Sequence, residues 1–133
     1  MSAQYFILPI NPGNWEHNTS SLQIDPQELR NALQKRWSDV QFVINHNFAL
    51  RWIFHHLGAP GAAYYTLHND RQFISFYNDI YFREFLIWFR QFIPETHPLY
   101  FLTSAHSEDD FLELTLNTTE ADIDYYLEHP KTS

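Results

Sequence analysis

The stretch from Asn78 to Ile93, NDIYFREFLIWFRQFI, limits what this chain can fold into more than any other. Plotted at about 100° per residue, Tyr81, Phe82, Phe85, Leu86, Trp88, Phe89, Phe92 and Ile93 fall within roughly 160° of a helical wheel. Asp79, Arg83 and Arg90 make a narrow polar stripe on the other side, and Glu84 and Gln91 make a second. Ile80 and Ile87 lie between the stripes; the stretch reads as a core helix, with contact to a second subunit through these two as the sharper alternative. The apolar arc is wider than a helix resting on one surface needs. Asn78 or Asp79 can cap the first turn by accepting a backbone N–H, and Pro94 cannot continue the ladder. Aromatic side chains bury on the order of 150–250 Å² each, so this helix should supply much of a core. Its charges interrupt any run of about 18 apolar residues, so no membrane span is expected.

A chain of 133 residues predicts a single domain over 1–133. At that size roughly two-thirds of the unfolded surface can be buried without a covalent staple. There is no cysteine, which removes disulfides, thiolate metal sites and thiol nucleophiles and fits a reducing cytoplasm. The opening residues, MSAQYFILPINPG, lack a basic region followed by a long apolar one, so no signal peptide is expected. A cytoplasmic protein is the expectation.

The net charge is −8, and its distribution says more than its size. Residues 1–94 carry seven acids and seven bases, whereas residues 95–133 carry nine acids against Lys131 alone. Such a field repels nucleic acid and acidic membranes and attracts basic partners.

Along the chain, Tyr5–Ile10 reads as a strand whose Pro9 marks an edge or an end. An aperiodic loop follows. Asp25-Pro26-Gln27-Glu28 starts a helix, with Asp25 as cap, Pro26 in the first helical position and Glu28 able to complete a capping box. Leu29, Ala32, Leu33 and Trp37 form its apolar stripe. Val40–Ile44 and Phe48–His56 read as strands, the second with Leu50, Trp52 and Phe54 on one face. Ala62–His68 and Arg71–Phe76 form a hairpin about Asn69-Asp70. A two-residue turn there would set Thr66 opposite Phe73 and Tyr64 opposite Ser75, with Tyr65, Leu67, Gln72, Ile74 and Phe76 on the buried side. Leu99–Ser104 and Phe111–Asn117 are two more strands, the second sending Leu112, Leu114 and Leu116 inward. Thr118 or Thr119 caps a last helix that packs through Ile123, Tyr126 and Leu127, and the tail from about residue 129 should be loose. The order β-α-β-β-β-β-α-β-β-α predicts an α+β fold: a largely antiparallel sheet packed against the aromatic-rich central helix. A parallel pair could arise where the first helix crosses over.

Eight histidines raise the question of a metal. His55-His56 is the obvious pair, but adjacent strand residues point to opposite faces, and no His-x-His or His-Glu-x-x-His occurs. No metal site and no cofactor are expected. A Ser/His/acid triad is recognised by geometry rather than order, but Gly-x-Ser-x-Gly is missing, so no catalytic residues are assigned. Asp109 and Asp110 read as solvated members of a charged turn.

The strongest functional signal is the acidic end. Glu108, Asp109, Asp110, Glu113, Glu120, Asp122 and Asp124 come from a loop, a strand and a helix that should be neighbours, and Tyr125 adds an aromatic anchor. The sequence therefore reads as a non-enzymatic binding or regulatory protein that docks a basic protein partner there, as an inhibitor, immunity-type protein or adaptor would. The alternative is a small-molecule-binding domain or enzyme with a ligand pocket at Trp15, Glu16 and His17. A homodimer through Tyr64 and Phe73 is a third reading.

Overall fold

The computed structural model describes residues 3–43, 46–54, 64–77 and 81–131, with the side chain of Trp15 outside the description. The His55-His56 pair, the cap at Asn78 or Asp79, and Ile80 lie outside the described residues. The elements are β1 (Gln4–Leu8), a 3₁₀ helix (Pro12–His17), α1 (Pro26–Arg36), β2 (Val40–Val43), β3 (Leu50–Phe54), β4 (Tyr65–Leu67) and β5 (Ile74–Tyr77). They are followed by α2 (Phe82–Phe92), β6 (Leu99–Thr103), β7 (Leu112–Leu114) and α3 (Glu120–Glu128). The fold is α+β, with seven strands in one antiparallel sheet ordered β2-β3-β4-β5-β1-β6-β7.

β1 is an interior strand that ends before Pro9, held between β5 and β6. The parallel pair considered at the first crossover does not form. α1 joins β1 to β2, but the meander β2-β3-β4-β5 then folds back and sets three strands between them. β5 and β6 both run antiparallel to β1, so the α2 crossover links two strands of the same direction with β1 between them.

All three helices cover one face. On that face the register lines up Trp52, Tyr65, Phe76 and Tyr5 across four strands. Phe85 of α2 packs on Trp37, Trp52, Phe54, Tyr65, Phe76, Trp88 and Phe89 with ring centroids 4.9–6.4 Å apart. α1 joins this cluster through Leu29, Leu33 and Trp37, and α3 joins through Ile123 and Tyr126. Among the described residues no helix is long and apolar enough to cross a membrane.

Four local expectations need correction. Arg90 is not on an exposed stripe: it is 3% exposed, and its guanidinium donates to the carbonyls of Ile93, Pro94 and His97, capping the end of α2. Leu116 is half exposed, because β7 stops at Leu114 and a turn held by Thr115 and Thr118 follows. The reciprocal capping box is found at α3, between Thr119 and Asp122, while Asp25 caps α1 by accepting the Gln27 amide. The hairpin turn is longer than two residues. Thr66 faces Ser75 and the His68 amide donates to Phe73, so four residues make the connection. Asp70 closes it by accepting the amides of Gln72 and Phe73, and Arg71 takes a positive φ of 60°. The slip is two residues, an even number, so each side chain keeps its expected face.

Candidate functional site

The acidic residues expected to share one flank divide into groups with different surroundings. Glu113 on β7 and Asp122 and Tyr125 on α3 line a groove of about 640 Å³ that also includes Phe111, His129 and Lys131. Glu113 faces Tyr100 across the β6–β7 pair. Burial first, and then that carboxylate, push the Tyr100 hydroxyl above its ordinary pKa. Tyr125 is 65% exposed and stacks on His129 at 4.0 Å, so an aromatic face stands at the groove's edge. Glu120 and Glu128 are exposed at the two ends of α3. Asp122 has a second task, since its carboxylate accepts the Thr119 amide in the capping box.

Asp124 turns the other way and pairs with Arg83 of α2. Asp109 is exposed in the turn before β7, where the Ser107 hydroxyl first, and its own backbone amide, hold its carboxyl below the usual range.

Asp110 is the clearest departure. Expected to be solvated beside Asp109, it is 2% exposed. Its Oδ2 accepts the Lys131 amide at 2.7 Å and lies 3.1 Å from His106 Nδ1, close enough for charge pairing but outside hydrogen-bond alignment. The Asp110 carbonyl accepts the Tyr126 hydroxyl at 2.7 Å. Asp110 therefore anchors the chain at Lys131, and its side chain is buried although the residue borders the β7–α3 groove.

The second candidate, the loop at Trp15, Glu16 and His17, is the 3₁₀ helix that sits beside the sheet face opposite α1, α2 and α3. Asn11 starts it by accepting the Gly13 amide, and Pro12 supplies the fixed φ. His17 is exposed. Glu16 lines a cleft of about 470 Å³ with Phe6, Leu8, Phe73, Leu102 and, from the turn before β7, Glu108. The structure thus brings together one residue from each of the two candidate regions, which no local pattern could announce. The signal that was legible is the alternation of β1 and β6, which puts Phe6 and Leu102 on the face away from the helices.

One further constellation lies on that face. His68 Nε2 lies 2.8 Å from Ser75 Oγ, and the His68 ring stacks on Phe73 at 4.4 Å. Burial lowers the His68 pKa, with the Asp70 charge opposing it and Arg51 adding to it. A nucleophile–base distance is present, but Ser75 is buried and Asp70 Oδ1 is engaged in closing the turn. The pair ties β4's end to β5 as a cross-strand hydrogen bond. Among the described residues no group of three or more His, Asp or Glu side chains is placed to hold a metal ion.

Compared with known proteins, the chain matches no protein-family model, and no curated protein or solved structure matches it significantly.

Proposed function

We propose that this protein is a non-enzymatic binding protein that docks a basic protein partner through its acidic C-terminal face, in an inhibitor, immunity-type or adaptor role. The observation that carries the reading is the β7–α3 groove: Glu113 and Asp122 line it beside the exposed Tyr125. Glu120 and Glu128 extend the negative charge along α3, and Glu108 and Asp109 extend it into the turn before β7. Exposed aromatics set in a field of one sign are the combination that gives both an anchor and fast association with an oppositely charged surface.

The test is capture of basic proteins on the immobilised chain at low and high salt, with a Glu113→Gln/Glu120→Gln/Glu128→Gln variant beside it. Capture is expected to fall several-fold when the ionic strength rises from about 0.05 to 0.5 M, and to fall comparably in the variant at low salt. Capture that responds to neither change would remove the basis of the reading.

A further inference from the structure

We infer that the cleft between the 3₁₀ helix and the turn before β7 is a socket for one arginine side chain of the basic partner; this rests on the docking reading above and names what the partner must present. The floor and walls are apolar. Phe6 and Phe73 lie parallel, 13° between ring planes and 5.5 Å between centroids, and Leu102 sits beside Phe6 in register on β6. The rim carries two exposed carboxylates, Glu16 from the 3₁₀ helix and Glu108 from the turn. Among the described residues neither forms an ion pair, whereas Glu84 and Asp124 do. Two unpaired carboxylates at the mouth of an aromatic cleft, on a chain of net charge −8, call for a cation with an apolar stem.

Arginine fits that description better than lysine. Its three methylenes can lie along Phe6 and Leu102, and its flat guanidinium can stack on an aromatic face. The fork of N–H donors on the guanidinium can meet a carboxylate with two parallel hydrogen bonds, while a lysine ammonium meets it only as a point charge. The turn from Glu108 to Phe111 separates this cleft from the β7–α3 groove, since Glu108 lines one and Asp110 and Phe111 line the other. A single basic segment crossing that turn can therefore occupy both.

The test is a titration of the ¹⁵N-labelled full chain with hexa-arginine and, separately, hexa-lysine, followed by amide chemical shifts. Gly13 and Leu102 report the cleft, and Thr115 and Asn117 report the groove. Hexa-arginine is expected to move both sets, and hexa-lysine to move the groove set with at least several-fold weaker binding at the cleft. In Glu16→Gln/Glu108→Gln the cleft response should weaken about tenfold while the groove response stays. Movement of the groove set alone, an unchanged cleft response in the double variant, or equal cleft binding of the two peptides would overturn the arginine socket and leave the docking reading standing. Movement of the cleft set alone would support the socket and overturn docking at the groove, and movement of neither would overturn both.

Discussion

The Tyr126 hydroxyl donates to the main-chain carbonyl of Asp110 at 2.7 Å and accepts the Thr103 amide at 3.3 Å, tying α3 to both ends of the β6–β7 connection. Tyr126→Phe keeps the ring against Phe101 and removes only this bridge. A buried carbonyl and amide then lose their partner, at an expected cost of about 1–3 kcal/mol in the urea-unfolding free energy. The same contact gives a pH dependence. Burial first, and the nearby Asp110 charge, push the Tyr126 pKa up to about 12 against the Thr103 amide, which lowers it. An unfolded tyrosine ionises near pH 10. The folded chain therefore keeps a proton that the unfolded chain releases, so this stability is intact below about pH 10 and is lost as pH climbs toward about 12. Unfolding measured across that window should steepen in the parent chain and flatten in Tyr126→Phe.

Arg90 offers a second, independent test. Its guanidinium donates to Ile93, Pro94 and His97 carbonyls at 3.1, 3.0 and 2.9 Å, holding the turn that follows α2 against the helix end. Burial depresses its pKa, while Glu95 and Glu113 oppose that shift, so the charge is retained in a dry setting. Arg90→Met preserves the stem and takes the guanidinium from all three carbonyls, of which Pro94 still accepts the His97 amide. A loss of about 2 kcal/mol or more is expected in chemical denaturation. Arg90→Lys should recover only part of it, because an ammonium cannot span the three acceptors as the planar fork does.

What could be read in the sequence, and what could not, follows the range of the physics. Element order and inward faces depend on periods of 2.0 and 3.6 residues, so Trp52, Phe54, Phe85 and Phe89 are placed by spacing alone. Hairpin register escapes that logic, because a slip of two residues leaves every face unchanged. Arg90 is assigned to a polar stripe by angle, but its long side chain wraps the helix end to reach carbonyls beyond it. Asp110 reads as solvated among Glu108 and Asp109, and it is His106 from the same turn, with Tyr126 and Lys131 from later in the chain, that enclose it. The β7–α3 groove was foreseeable because consecutive elements build it. The pairing of Glu16 with Glu108 depends on the strand order, which no local pattern specifies.

The turn after β4 shows the same long-range control and is testable. Gln72 Nε2 donates to the Ser20 and Leu22 carbonyls, and its Oε1 accepts from Asn18, while the Arg71 carbonyl accepts the Ile24 amide. The turn thus pins the segment that leads from the 3₁₀ helix into α1. Gln72→Ala should lower global stability by about 1–3 kcal/mol and raise amide exchange first at Leu22 and Ile24. Arg71 supplies the control. At φ of 60° a β-branched residue is strained, so Arg71→Val should cost at least about 1 kcal/mol, whereas Arg71→Gly should be neutral or slightly stabilising.

The final prediction separates acids that face a partner from acids already in use. Asp124 sits against Arg83 with both side chains partly exposed, so the pair contributes little net field and little stability. Arg83→Gln/Asp124→Asn removes one charge of each sign. Association with a basic partner should then stay within about twofold of the parent rate at low salt, and stability should change by less than about 1 kcal/mol. Glu113→Gln removes one negative charge at the groove and no positive one, and should slow association several-fold, with the difference vanishing at high salt. Stopped-flow rates at two ionic strengths read both variants together. If the paired double variant slows association as much as Glu113→Gln, the docking surface reaches across α3 to α2, and the groove is not its centre.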